Sequence, residues 1–250
     1  MKRPRIIPVL LLHKGGLVKS IKFKDHIYVG DPINAVRIYN DLRVDEIVLL
    51  DIDAAKENRS IPIDLIKEIG EEANMPFSVG GGIGDLNTIK RIIQAGAERV
   101  ILNTQAVTDQ RLIRESSDAF GSSTIVVCID YKKNFFGKSQ VYIRGGSKKT
   151  GIDPLEAAKS AEANGAGEVI LQSIDRDGTM SGFDIETIGN VNRSLTIPVV
   201  GLGGAGQIGD FEKLYKETSL NGIAAGSFFV FQGKHRGVLI RYPPINQYNF

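Results

Sequence analysis

The sequence predicts a closed eight-stranded α/β barrel, a single (β/α)8 domain over residues 1–250. Three observations predict it. The chain has 250 residues, the usual size of one such barrel. Eight short, continuously apolar runs alternate with stretches of helical spacing, the pattern of parallel strands covered on both faces. The chain also repeats itself at half its length: 122 residues separate Glu46 from Glu168 in one pair of matching segments, and Gly82 from Gly204 in another.

The strand-like runs fall at 6–12, 46–51, 77–79, 99–102, 125–130, 168–171, 199–202 and 222–225. Between them Ile33, Val36, Ile38 and Leu42 recur at helical spacing, as do Leu65, Ile66 and Ile69, and then Leu86, Ile89, Ile92 and Ile93. Asp85, Asp109, Asp153 and Asp184 stand where helix N-caps belong, because a carboxylate there accepts the free N–H groups of the first turn. The last unit is weak. After Phe231 the chain reads Gly-Lys-His-Arg-Gly, and Pro243-Pro244 follows. A short or irregular eighth helix and a loosely held tail from about residue 232 are expected. The matching segments, 45–53 with 167–175 and 76–84 with 198–206, fit two half-barrels of four units each.

Composition narrows the function. Hydrophobic residues make up 42% of the chain and charged residues 24%, enough for a large core under a wet surface. The net charge of +2 lacks the strong basic stripe of a nucleic-acid binder. No apolar run approaches the ~18 residues of a membrane-spanning helix. The start, Met-Lys-Arg-Pro-Arg, leads into a strand with no small-residue cleavage site after it, so no signal peptide is expected. The single cysteine, Cys128, lies inside an apolar run and reads as core packing. It excludes a disulfide framework and points to a reducing compartment, the cytoplasm.

Two glycine clusters carry the first chemical signal. Gly80-Gly81-Gly82 follows the third strand and Gly203-Gly204 the seventh, each just before a helix. Glycine lets backbone N–H groups close on an anion, and the helix N-terminus adds a favourable dipole. Asn103-Thr104 at the end of strand four and Gly226-Ser227 at the end of strand eight can complete two phosphate cradles. Two opposed cradles suit a ligand phosphorylated at both ends, or one used site and one inherited relic.

The segments Arg5-Ile6-Ile7-Pro8, Val79-Gly80-Gly81-Gly82-Ile83, Gly165-Ala166-Gly167-Glu168, Ser173-Ile174-Asp175-Arg176-Asp177-Gly178-Thr179 and Gly203-Gly204-Ala205-Gly206 resemble the cyclase subunit of imidazole glycerol phosphate synthase, the HisF family. The match runs from Arg5 to about Phe231. The resemblance implies a barrel that takes ammonia from a partner glutaminase, HisH-like, at its N-terminal face and passes it through the core. At the C-terminal face the ammonia reacts with a bis-phosphorylated ribulose-type nucleotide and an imidazole ring closes. No metal and no organic cofactor are implied. Phosphate and substrate contacts map to Lys19, Gly82, Asn103, Thr104, Asp177, Gly178, Gly204, Gly226 and Ser227. The family's ring of charges at the barrel bottom maps to Arg5, Glu46, Arg99 and Glu168, with Arg99 in place of the usual lysine.

The family uses two aspartates as general acid and base, ending strands one and five. Here strand five supplies Asp130, but Leu11 stands where strand one should supply the other. The internal repeat agrees, aligning 6–11 with 125–130 and so Leu11 with Asp130. His13, Lys14 and Asp51 lie nearby, none at the matching position. Leu202 and Gln172 replace a serine and a threonine of the family. Four functions remain open. One is an ammonia-conducting subunit for glutamine-dependent amidination of a surface-polysaccharide sugar, working with an ATP-using amidotransferase. The others are an authentic cyclase of histidine synthesis, a non-catalytic activator of a glutaminase, and a phosphate-sugar isomerase. The last of these also needs an aspartate at position 11.

Overall fold

The computed structural model describes residues 3–233 and 235–250. Positions 1, 2 and 234 of the expected domain lie outside these residues. Eight parallel strands pair in cyclic order: Arg5–His13, Ile47–Asp51, Phe77–Gly80, Arg99–Leu102, Ile125–Lys133, Glu168–Ser173, Val199–Leu202 and Gly222–Ala225. The first pairs with the eighth through Ile7 and Ala224, and the fifth with the sixth through Cys128 and Ile170, which closes the barrel. The sequence thus identifies all eight strands, with ends shifted by a few residues at most.

Alternation along these strands makes two cores. Residues pointing outward, such as Ile6, Leu10, Leu49, Val79 and Leu171, pack under the helices. Residues pointing inward fill the lumen: Ile7, Val9, Leu11, Val48, Ile101, Val126, Cys128, Ile170, Val200, Leu202 and Ala224. Two layers of apolar contact on either side of each strand explain why the runs read as continuously hydrophobic. Cys128 is a lumen residue, and burial pushes its thiol well above the ordinary range.

Capping follows expectation at two of four positions. Asp85 accepts from the Thr88 amide, and Asp153 accepts from the Leu155 amide in a capping box with Glu156. Asp184 occupies the N-cap position of the helix Ile185–Ser194 but caps nothing there. Its carboxylate instead accepts from Lys133 Nζ at 3.0 Å, because strand five runs past the barrel rim and brings that cation over it. Asp109 lies one residue ahead of Gln110, the N-cap of the helix Arg111–Phe120, though its carboxylate still accepts the Arg111 amide at 3.2 Å. It ends the short helix Thr104–Thr108 and binds Arg111 at 2.8 Å.

The eighth helix is reduced to a single 3-10 turn, Ser227–Phe229. The chain beyond it reaches back onto the barrel through aromatic rings. Tyr242 Oη donates to the carbonyl of Ile6 at 3.1 Å. Tyr248 is buried, 5.6 Å from the Phe211 ring centroid.

Two β-excursions at the C-terminal rim carry no clear sequence signal. After strand one, Gly16–Ile21 and Lys24–Gly30 form a hairpin. After strand five, Ser139–Ile143 turns back on the overshooting strand, and Lys148–Lys149 pairs onto it. Gly16–Ile21 buries Lys19 and Ser20, polar residues that break the apolar pattern of a strand. Each is satisfied across the fold, Lys19 Nζ by the carbonyl of Val9 and Ser20 Oγ by Asp177 at 2.7 Å.

Candidate functional site

The C-terminal mouth holds a cavity of about 590 Å³. Leu11, Ile101, Cys128, Asp130 and Gln172 line it from the strands, and Gly81, Gly82, Asn103 and Thr104 from the loops. Asp130 is the one carboxylate that strand five delivers there, 6% exposed. Burial, and secondarily the Asp177 carboxylate, push its pKa up to about 7; Asn103 opposes this by donating to Asp130 Oδ2 at 3.1 Å. A carboxylate with a pKa near neutrality can give or take a proton at working pH.

Leu11 faces the same cavity and is itself buried. Of the three residues considered as replacements, the Asp51 and His13 side chains are committed elsewhere and Lys14 lies off the cavity. Asp51 accepts from the amides of Asp53 and Ala54, both at 3.0 Å, and pairs with Arg59 at 2.5 Å. His13 binds Asp53 at 2.9 Å, and the Lys14 amide donates to the same carboxylate. Neither His13 nor Lys14 lines the cavity.

The first glycine cluster is brought together with Asn103 and Thr104. Gly81 and Gly82 have φ of +131° and +62°, and a Cβ on Gly82 would lie 1.8 Å from the carbonyl oxygen of Arg59. Only glycine fits, so the loop must approach this closely. Gly82→Ala is expected to destabilise the fold by ~2–4 kcal/mol. Urea denaturation measures this, and an unchanged midpoint would contradict the packing described. Arg59 and Arg144 flank the cluster as cavity-lining cations. Sequence reasoning did not single them out, because both lie in rim loops whose paths are set by tertiary contacts.

The second set divides. Lys19, Asp177, Gly178, Gly204, Gly226 and Ser227 do not line this cavity. The hairpin after strand one lies across their side of the mouth. Its residue Ser20 packs on Gly178, where a Cβ would meet the Ser20 carbonyl oxygen at 1.9 Å, and Asp177 accepts from the Phe23 amide at 3.2 Å. Lys19 still reaches the end of strand eight: a Cβ on Gly226 would lie 3.3 Å from its Nζ. Burial lowers the Lys19 pKa to about 8, against the opposing pull of Asp177.

At the opposite end the four mapped charges form one closed ring. Arg5 binds Glu46 at 2.5 Å and also binds Glu168. Arg99 Nη1 lies 3.2 Å from Glu168 and 3.6 Å from Glu46. Each arginine therefore bridges both glutamates, and signs alternate around the lumen. Burial raises the Glu168 pKa although both arginines oppose it. Ser78 donates to Glu46 Oε1 at 2.8 Å; sequence reasoning missed it, and a hydroxyl interrupting an apolar run is the one signal that points to it.

Among the described residues there is no group of His, Cys, Asp and Glu suited to hold a metal ion, and no helix is long and apolar enough to cross a membrane.

Comparison with known proteins agrees with this geometry. The family model described as histidine biosynthesis protein matches residues 5–236. A Pseudomonas aeruginosa protein provisionally named imidazole glycerol phosphate synthase subunit hisF2 is 47% identical over 99% of this chain and 98% of its own. A Leptospira interrogans protein provisionally named as a HisF subunit is 43% identical, over 97% of this chain and 96% of its own. The imidazole glycerol phosphate synthase subunit HisF of Alkaliphilus metalliredigens is 41% identical over 90% of this chain and 89% of its own.

Proposed function

Since the chain belongs to the histidine-biosynthesis family of barrels, and within it to the HisF group, we propose that it is the ammonia-receiving synthase subunit of a glutamine amidotransferase whose acceptor differs from the cyclase substrate. A HisH-like glutaminase docks on the N-terminal face, around Arg5, Glu46, Arg99 and Glu168. Ammonia enters through that ring, crosses the lumen and reaches Asp130. The acceptor is an acetamido sugar of a surface polysaccharide, activated by an ATP-using amidotransferase, and the complex works in the cytoplasm. Gly82, Asn103 and Thr104 hold one phosphate group of a ligand, with Arg59 and Arg144 beside it.

One observation carries this reading: the mouth has lost a carboxylate at Leu11 while the bottom keeps a fully paired ring of four charges. A ring that only closed the barrel could be replaced by apolar residues at little cost, since buried ion pairs are weak stabilisers. A ring that a small neutral molecule must pass has a reason to persist. Ring closure in histidine synthesis is the second reading, favoured by the preserved first glycine site and by 41% identity to a HisF subunit.

The test is Arg99→Ala in the reconstituted system. Removing Arg99 leaves Glu46 and Glu168 under-compensated. Glutamine-dependent product formation is expected to fall about tenfold relative to formation from added ammonia. Equal loss by both routes, or loss by neither, would show that the ring is structural only.

A further inference from the structure

We propose that the hairpin built on the overshooting fifth strand is a docking surface for an acidic protein partner, the amidotransferase subunit that activates the acceptor. The inference rests on the function proposed above. Strand Ile125–Lys133 continues beyond the barrel and pairs with Ser139–Ile143, and that strand pairs with Lys148–Lys149. At the tip Phe135 is 98% exposed and Phe136 89%, their rings edge-to-face at 5.6 Å. The tip is a defined turn. Asn134 Oδ1 accepts from the amides of Phe136 at 2.9 Å and Lys138 at 3.0 Å, and the Asn134 amide donates to the Lys138 carbonyl at 2.9 Å. The turn orders the backbone that presents the two rings to water side by side, the property of an interface anchor.

The charges around the rings choose the partner. From 131 to 152 the chain has no acidic residue and six basic ones, Lys132, Lys133, Lys138, Arg144, Lys148 and Lys149. Lys133 is paired with Asp184 and Glu186. The other five are exposed and form no ion pair among the described residues. A second copy of this chain would bring like charge to like charge. An anionic bilayer would match the charges and the rings but brings no acceptor carbon. Position favours a protein that does. Arg144 and Gly145 line the cavity, and the Arg144 amide donates to Thr104 Oγ1 at 3.0 Å. A partner seated on this hairpin therefore overhangs the cavity mouth and keeps ammonia from escaping as ammonium.

The purified chain is titrated with a purified ATP-using amidotransferase that acts on acetamido sugars. Two variants are compared, Phe135→Ser with Phe136→Ser, and Lys138→Glu with Lys148→Glu and Lys149→Glu. Each is expected to weaken binding by at least about thirtyfold. Binding by the unmodified chain should weaken with added salt. Binding of the glutaminase, on the opposite face, should be unchanged in both variants, which also shows that they fold. Equal affinity in the variants, or ammonia transfer to the acceptor without any complex, overturns the docking surface and leaves the proposed function standing. Binding to phosphatidylglycerol vesicles through Phe135 and Phe136, or self-association lost in the variants, with no amidotransferase bound, overturns it in favour of those partners. Hairpin-dependent binding without amidination of any acetamido sugar supports the surface and refutes the function.

Discussion

Leu11→Asp is expected to raise imidazole ring closure from ammonia and the bis-phosphorylated nucleotide by ~10²–10⁴-fold over the unmodified chain. Leu11 and Asp130 line the same cavity from strands one and five, at equivalent positions of the two half-barrels. Leucine can neither accept nor donate a proton; the neighbouring Asp51 and His13 are held by other partners, and Lys14 does not line the cavity. The new carboxylate would enter a site where the backbone is already placed. Single-turnover product formation measures the rate, and a thermal melt of the variant checks its fold. Turnover by the unmodified protein at ~1–10³ s⁻¹ would refute the changed-acceptor reading. So would a folded variant no faster than its parent.

Asp130→Asn is expected to stabilise the protein above neutral pH, with a gain that disappears in acid. Burial first, and the Asp177 carboxylate second, lift the Asp130 pKa from 3.8 to about 7. Between those values the native chain binds more protons than the unfolded chain. Stability therefore falls as pH rises through that window, by about 1.4 kcal/mol per unit at most. At pH 8 the asparagine variant should gain up to about 4 kcal/mol, an upper bound because asparagine must also replace the hydrogen bond that Asn103 donates to the carboxylate. Near pH 4 both proteins should unfold alike. Urea denaturation across this range gives the difference at each pH, and a constant difference would mean that Asp130 is not held protonated by its surroundings.

How much was legible depends on where each residue finds its partner. The eight strands were legible because both faces of each are apolar, and the Glu46 and Glu168 pair because the repeat places them at equivalent strand starts. Leu11 could be read as a lost carboxylate from the repeat alone. The two rim hairpins were not legible. Lys19 and Ser20 look like loop residues, yet they are buried in a strand because Val9 and Asp177 satisfy them from elsewhere. Asp184 failed as a cap for the same kind of reason, since Lys133 arrives from a strand that outran its expected end. Arg59 and Arg144 emerged only once the loops had paths. Local pattern predicts what local forces decide, and these positions are decided across the fold.

Between the charged ring and Asp130 the lumen is lined by Ile7, Val9, Val48, Ile101, Val126, Ile170 and Val200, all buried. Such a column is an electrical insulator. Moving an unpaired charge into it costs several kcal/mol or more, so neither ammonium nor hydronium can use it as a conductor. On the proposed function, any nitrogen that crosses must shed its fourth proton at the ring, on the side where the glutaminase would dock. On that reading the two ends of the barrel keep separate proton accounts: the state of Asp130 is set at the C-terminal mouth, whatever glutamine hydrolysis would do to acidity at the other.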